Sequence, residues 1–182
     1  MKMTEVKKRK NSRAKGASFE RKIAKDLTTW WGDSFTKTPS SGGLRWGQDH
    51  RVTGDIVPSE DAKDFPFVVE CKKRENWDFE QIIKGTGEVP SWWEQAYNDN
   101  LRLGDHKKTP ILIFSKNRSP VYFMVLKTVQ ELLKLDSVDY FETTIAFKDL
   151  QNGTDLERKV YIGLLGDLMK LERSYVVSSL SF

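Results

Sequence analysis

The feature of this sequence that most constrains its fold is a seven-residue segment, FVVECKK, at positions 67–73. The segment is rich in β-branched and aromatic residues and is bounded by polar stretches, a pattern typical of a strand inside a sheet. Side chains two positions apart on a strand point to the same face. We therefore predict a central strand that presents Glu70 and Lys72 on one face and Phe67, Val69 and Cys71 on the other.

A second acidic residue, Asp55, follows Gly54 at the start of another short predicted strand, fifteen positions before Glu70. Strands that are adjacent in sequence usually neighbour each other in space, which would bring the two carboxylates together. Converging carboxylates repel each other unless a cation lies between them, and Mg²⁺ is commonly held by one or two carboxylates with water and substrate phosphate. The two residues therefore predict a Mg²⁺ site, with Mn²⁺ as the alternative ion.

The chemistry that such a site favours is hydrolysis of a phosphodiester bond. A bound divalent ion can position the phosphate, stabilise its charge and lower the pKa of a water molecule. Lys72 shares the face of Glu70, where it can orient or deprotonate the attacking water and offset charge on phosphorus. The competing interpretation is a chance D…ExK pattern on a charged strand. We favour the catalytic interpretation, because a strongly apolar strand is a poor place for a surface salt bridge.

The rest of the chain predicts an α/β fold with a mixed, mainly antiparallel central sheet flanked by helices. Ser18 is a suitable N-cap for an amphipathic helix over residues 18–31, and a Gly/Ser-rich loop follows it. The paired tryptophans of the two long predicted helices are expected in the core rather than stacked on nucleic-acid bases. The other predicted elements are a helix at 91–103, a hairpin of strands at 110–114 and 121–126, a short helix at 128–135, a strand near 143–147 and a helix near 155–170.

Charge is concentrated at the beginning of the chain. Residues 1–25 contain ten Lys and Arg against two acidic residues, whereas the whole chain has a net charge of +4. We predict a flexible basic arm at residues 1–14 that attracts nucleic acid, followed by a single domain at 15–182; the alternative for the arm is a solubilising tail. In the Gly-rich loop, Ser40, Ser41, Arg45 and Arg51 are candidates for contacts with DNA phosphates.

Several classes of protein and site are disfavoured by the composition. The only cysteine is Cys71, so neither an internal disulfide nor a cysteine-based zinc site is expected, and His50 and His106 have no zinc-ligand spacing. Any metal would be held mainly by oxygen. The longest apolar runs are far shorter than the roughly 20 residues of a bilayer crossing, and no secretory signal is visible, so we expect a cytoplasmic protein with no membrane contact.

Asp55, Glu70 and Lys72 together resemble the signature of the PD-(D/E)XK nuclease superfamily, which is Asp, a variable gap, Glu or Asp, any residue, and Lys. The helix segment GASFERKIAKDL, which contains Glu20, and the loop SSGGLRWGQDHRVTGDI resemble archaeal Holliday junction resolvases and their phage relatives. The residue before Asp55 is Gly54 where the pattern has Pro, a common variation. The resemblance covers residues 16–73, about a third of the chain.

The resemblance implies a restriction-endonuclease-like core and a structure-selective DNA endonuclease. It implies that Asp55, Glu70 and the backbone carbonyl of Cys71 hold Mg²⁺, and that Glu20 reaches the metal site directly or through water. A weaker similarity in the tryptophan-rich helix implies that Gln95 faces the site, and Gln95 is the fifth residue predicted to contact DNA. If the substrate is a four-way junction, a homodimer is expected, since such enzymes cut two strands symmetrically.

Two other functions stay open at this point. One is a different nuclease of the same superfamily, acting on linear duplex DNA or on DNA ends. The other is a DNA-binding module that keeps the fold without cutting. Nothing in the sequence reports on recognition of a 2′-hydroxyl, so RNA also stays open as a substrate.

Overall fold

The computed structural model describes residues 12–39, 54–104, 107–137 and 139–181. The helices in these ranges are α1 (Ser12–Trp31), α2 (Phe79–Ile83), α3 (Val89–Leu103), α4 (Lys127–Leu133), α5 (Leu165–Leu168) and α6 (Arg173–Ser179), with a 3-10 turn at Glu60–Ala62. The strands are β1 (Phe35–Lys37), β2 (Ile56–Pro58), β3 (Phe67–Lys73), β4 (Thr109–Ser115), β5 (Tyr122–Leu126), β6 (Tyr140–Asp149) and β7 (Thr154–Leu164).

The strands within these ranges form one mixed sheet in the order β1-β2-β3-β4-β5-β7-β6. Only β3 and β4 run parallel, with Glu70 opposite Leu112, and the other neighbouring pairs are antiparallel. The predicted α/β class, the mainly antiparallel sheet, the strand at 67–73 and the hairpin of β4 and β5 are therefore confirmed. β3 lies inside the sheet, between β2 and β4, as its apolar sequence predicts.

Both faces of β3 are covered, and the two faces differ in chemistry. Phe67, Val69 and Cys71 belong to a core cluster formed with the apolar side of α1. On the opposite face, the apolar side of α3 packs through Trp92 and Trp93 against residues of β4. Each large apolar side chain that is fully buried contributes roughly 1.5–3 kcal/mol. The alternation of β3 therefore directs Glu70 and Lys72 toward α3, and the predicted core role of the buried tryptophans is confirmed.

The first helix is longer than predicted. It begins at Ser12 rather than at Ser18, so Ser18 lies inside the helix and the last residues of the predicted basic arm are helical. The buried residues of α1 recur at helical spacing and include Phe19, Ile23 and Leu27. Residues 1–11, the main part of the predicted arm, lie outside the described residues.

The helix predicted near residues 155–170 is wrong. Residues 154–164 form β7, and only Leu165–Leu168 is helical. The reason is tertiary pairing: β7 bonds to β5 on one side and to β6 on the other, and its buried segment at 160–163 fills the sheet interior. The short helices α2 and α6 were not predicted.

None of the helices in the four described ranges combines the length and the apolar character that a bilayer crossing requires.

Candidate active site

Asp55 is positioned by the residue that precedes it. Gly54 has φ +83°, and a Cβ built on it would lie 2.5 Å from the carbonyl oxygen of Val69. A side chain at position 54 would therefore be both strained and in collision with β3. This close approach lets the Asp55 amide donate to Val69 O at 2.7 Å, and the Cys71 amide donates to Asp55 Oδ2 at 2.8 Å. The Asp55 carboxylate is thus held against the backbone of β3.

Glu70 is buried in the middle of the site, with 1% of its surface exposed. Its Oε1 accepts from Lys72 Nζ at 2.5 Å, whereas its buried Oε2 has no hydrogen-bond partner among the described residues. Burial and the nearby charge of Asp55, opposed by Lys72, raise the pKa of Glu70 to about 8. Burial likewise raises the pKa of Asp55. The two carboxylates, Asp55 and Glu70, are called the carboxylate pair below.

Lys72 links the carboxylate pair to α3. Besides Glu70, its ammonium donates to Gln95 Oε1 at 3.0 Å. An ammonium has three N–H donors, and these contacts use two of them. The structure therefore places Gln95 beside Lys72.

Glu20, on α1, lies near the pair but is engaged elsewhere. Its Oε2 forms an ion pair with Lys37 Nζ of β1 at 2.8 Å, and both side chains are largely buried. Its charge reaches Asp55, since it contributes to the raised pKa of that carboxyl. Helix α1 thus brings a third carboxylate into electrostatic range of the pair.

Residues 11–178 match the family described as phage putative PDDEXK endonuclease. The chain belongs to this family. The match spans most of the chain, well beyond the residues 16–73 on which the sequence resemblance depends. No curated protein and no solved structure matches the chain.

Membership of the phage PDDEXK endonuclease family confirms the superfamily predicted from the sequence. The protein is accordingly a nuclease, a hydrolase of phosphodiester bonds. The mixed sheet with flanking helices is consistent with the restriction-endonuclease-like fold. The three residues that resemble the D…ExK signature lie close together: Asp55 is in the loop immediately before β2, and Glu70 and Lys72 are on β3.

In this endonuclease the side chain and the backbone of Cys71 face different environments. The thiol is fully buried in the core on the α1 side, and burial, with the charges of Asp55 and Glu70, raises its pKa well above the usual value. The side chain is therefore a neutral core residue. The backbone amide, by contrast, points toward Asp55.

Asp99 was missed by the sequence analysis. It lies on α3 one turn after Gln95, is 8% exposed and forms an ion pair with Arg102. Burial raises the pKa of Asp99, and its charge contributes to the raised pKa values of Asp55 and Glu70. The signal that was available is the four-residue spacing from Gln95, which places both side chains on one helix face.

Four predicted DNA contacts, Ser40, Ser41, Arg45 and Arg51, lie outside the described residues. Among the described residues, no three His, Cys, Asp or Glu side chains are arranged as a metal-holding group. Mg²⁺ does not require such a group, because it often keeps several waters and uses only one or two carboxylates. The carboxylate pair fits that chemistry, since Glu70 Oε2 is buried and has no hydrogen-bond donor within the part of the chain that the structure describes.

Proposed function

We propose that this protein is a Mg²⁺-dependent DNA endonuclease whose reaction centre is Asp55, Glu70 and Lys72. The observation that carries the proposal is the Glu70 carboxylate, buried beside Asp55 with one oxygen on Lys72 and the other without a partner among the described residues. A buried anion in this state is costly unless a cation compensates it. Mg²⁺ supplies that charge, and Mn²⁺ is the expected substitute.

The ligands that we assign to Mg²⁺ are the side chains of Asp55 and Glu70 and the backbone carbonyl of Cys71. The amide and the carbonyl of a strand residue point to the same edge of the strand. Since the Cys71 amide donates to Asp55 Oδ2, the Cys71 carbonyl also points toward the β2 edge. Ile56, the first residue of β2, pairs with Val69. Asp55 lies just before β2, and its side chain accepts from the Cys71 amide at this edge.

The chemistry supplied by bound Mg²⁺ is polarisation of the phosphodiester and a lowered pKa of water. Lys72 acts beside it. Glu70 and Gln95 fix the ammonium by two hydrogen bonds, and its third N–H is available to orient the attacking water or to contact a phosphate oxygen. Gln95 thereby has a positioning role through Lys72. An ammonium held this way also offsets the negative charge that develops on phosphorus.

Glu20 is assigned to the metal site as an outer ligand that acts through water. Its ion pair with Lys37 holds the carboxylate in range of Asp55 without consuming both oxygens in that contact. Phosphate contacts are assigned to the basic residues at the beginning of the chain and to Ser40, Ser41, Arg45 and Arg51. The concentration of ten basic residues within positions 1–25 supports this assignment.

The substrate that we propose first is branched DNA, on the resemblance of the first helix and loop to Holliday junction resolvases. A four-way junction would require a homodimer for symmetric cutting. Linear duplex DNA or DNA ends are the second candidate. We expect residues 74–182 to determine which of the two substrates is cut, since they lie outside that resemblance. The cytoplasmic location also stays a prediction.

The experiment that tests this function is cleavage of a labelled four-way junction, a linear duplex, a DNA single strand and an RNA strand, each with and without Mg²⁺. Wild type is compared with Lys72→Ala and with Lys73→Ala. Lys73 is a matched control, because it neighbours Lys72 but lies over the ring of Phe19 on the α1 side, 5.7 Å from its centroid.

The expected result is Mg²⁺-dependent cleavage by wild type and Lys73→Ala, with a loss of about 100-fold or more in Lys72→Ala. Paired symmetric nicks confined to the junction would establish a resolvase, and cutting of the linear duplex would establish the second candidate. Tight DNA binding without Mg²⁺-dependent cleavage of any substrate would contradict the proposal and leave the binding module.

A further inference from the structure

A groove of about 530 Å³ runs along α3 beside the proposed reaction centre. One wall is α3 itself, with Gln95, Asp99 and Arg102, and the other wall is the turn between β6 and β7, with Leu150 and Gln151. Gln95 contacts Lys72 at 3.0 Å. The groove, called the α3 groove below, therefore borders the proposed reaction centre through Gln95.

Leu150 stands out in this groove. Its exposed fraction is 63%, the highest given for any large apolar side chain in the described ranges. A single exposed leucine needs no explanation on an ordinary surface. This one is at the first position after β6 ends, on the wall of a groove whose other lining residues are polar, and it shares that groove with Gln95.

The turn that carries Leu150 is anchored by hydrogen bonds. The Leu150 amide donates to Asn98 Oδ1 at 2.8 Å, and Asn98 Nδ2 donates to Lys148 O at 2.8 Å. Asp149 Oδ1 accepts from the amides of Gln151 and Asn152 at 2.9 and 3.0 Å. Asn98 and Asp149 are each 8% exposed, so these bonds are sheltered from water.

The anchor also connects Leu150 to the part of α3 that meets the reaction centre. Asn98 is three residues beyond Gln95 on α3, which is about 4.5 Å along the helix axis. Leu150 is thus attached to α3 within one turn of Gln95, which contacts Lys72, and both residues line the same groove. A pre-ordered apolar side chain at such a position loses little conformational freedom on binding.

The charged side chains that line the α3 groove are Glu94, Asp99 and Arg102. Glu94 accepts from the Lys148 amide at 2.7 Å, and the charge of Asp99 is compensated by its ion pair with Arg102. Because this lining supplies no unpaired cation for phosphate, contacts to bases are favoured in the groove over contacts to the DNA backbone. Proteins that distort DNA often insert an apolar side chain, including leucine, between bases and unstack them.

We propose that Leu150 contacts substrate, packing against an unstacked base next to the cleaved phosphodiester, with the strand lying in the α3 groove. The inference rests on the proposed endonuclease function and deepens it, because it makes local opening of the DNA part of substrate selection. The turn at 150–152 acts as a fixed wedge, and α3 couples its position to that of Gln95.

The test uses single-turnover cleavage of whichever DNA wild type cuts best, by Leu150→Ala and by Leu132→Ala. Leu132 is a matched control, because it is also an exposed leucine, at 46%, but lies on α4 and does not line the groove. Each enzyme receives a fully paired substrate and one with a mismatch beside the cut. A mismatched base costs less to unstack, so a wedge matters less there. Melting curves verify that both variants are folded.

The expected result is a loss of about tenfold for Leu150→Ala on paired DNA, recovered on the mismatched substrate, with Leu132→Ala like wild type on both. Equal rates for Leu150→Ala and wild type on paired DNA would overturn the inference while the endonuclease function stands, as would a loss that the mismatch does not relieve. If wild type cuts no DNA at all, both the proposed function and this inference fail.

Discussion

Two clusters of partly or fully buried charges in this molecule differ in how completely their charged groups are hydrogen-bonded within the protein. The first is the Arg173 cluster, in which Arg173 joins α6 to Asp33, Asp64 and Trp31. Its guanidinium donates to both oxygens of Asp64, to Asp33 and to two backbone carbonyls, so all its nitrogens are used. The second is the carboxylate pair with Lys72, where Glu70 Oε2 has no partner among the described residues.

The pKa shifts in the two clusters run in opposite directions. Partial burial alone would raise the pKa of Asp64, but the hydrogen bonds from Arg173 and Trp31 outweigh it and lower that pKa. Burial raises the pKa of both Asp55 and Glu70, and the charge of Lys72 opposes the shift without cancelling it. The Arg173 cluster is therefore fully hydrogen-bonded within the protein, whereas the described residues compensate the carboxylate pair only in part.

The largest expected effect comes from Glu70→Gln, which keeps the shape of the side chain and removes its charge. Cleavage should fall by at least about a thousandfold, because the variant loses a proposed Mg²⁺ ligand. The bound ion would stabilise the transition state by several kcal/mol. Without Mg²⁺ the variant should nevertheless melt about 3 °C higher than wild type near neutral pH. Burial raises the pKa of Glu70 to about 8, so folding must either protonate this carboxyl or bury its charge, whereas glutamine is neutral in both states. Steady-state cleavage and metal-free melting measure the two effects.

The control for this variant is Glu75→Gln, whose side chain is 46% exposed in an ion pair with Lys15. It should change neither cleavage nor the melting temperature appreciably. A Glu70→Gln protein that melts below wild type would mean that the Glu70 charge is already compensated within the fold.

The complementary change is Arg173→Met, which breaks the satisfied cluster. Asp33 and Asp64 would lose their counter-charge and α6 its link to α1, so we expect a loss of about 2 kcal/mol, reduced because Arg173 is 33% exposed. The melting temperature should fall by about 4–8 °C. Arg158→Met, at an exposed position on β7, is the matched control. Cleavage per folded molecule should stay at the wild-type rate; a large loss below the melting transition would contradict the division between the clusters.

The smallest effect is the acid dependence of the Arg173 cluster. A carboxyl whose pKa is lower in the folded than in the unfolded chain stabilises the fold above its unfolded pKa, and this contribution is lost as pH falls through the folded value. The ordinary value for Asp64 is 3.8. The stability difference between wild type and Arg173→Met should therefore be constant near neutral pH and shrink below about pH 4. Denaturant unfolding at several pH values measures it, and a difference that grows in acid would be contrary to this sign.

The sequence predicted the parts of the molecule that depend on local pattern. β3 was predicted with its observed bounds, because a run of β-branched and aromatic residues is bounded there by polar segments. The two-residue repeat of a strand then placed Glu70 and Lys72 on one face. The segment at 154–164 was mispredicted, because its pairing partners β5 and β6 decide its structure and the sequence alone does not reveal them. The nuclease family followed from three residues and is confirmed by a match over 11–178.

What the sequence did not predict is how residues distant along the chain meet. Asp99 was missed because its proximity to Glu70 depends on how α3 packs on β3. At the site, α3 and β3 are joined by the hydrogen bond between Gln95 and Lys72. The α3 groove was likewise invisible, because one of its walls belongs to a turn about fifty residues further along the chain, connected to α3 through Asn98. The assigned roles of Glu20 and Cys71 in metal binding remain predictions.

The central claim is that the carboxylate pair is a cation site, and Mg²⁺ binding to the DNA-free protein tests it most directly. Wild type and Glu70→Gln would be melted across a Mg²⁺ titration, since a ligand that binds only the folded state raises the melting temperature with its concentration. The account predicts a concentration-dependent rise in wild type and none in Glu70→Gln. Equal rises in the two proteins, or no rise in either, would contradict it.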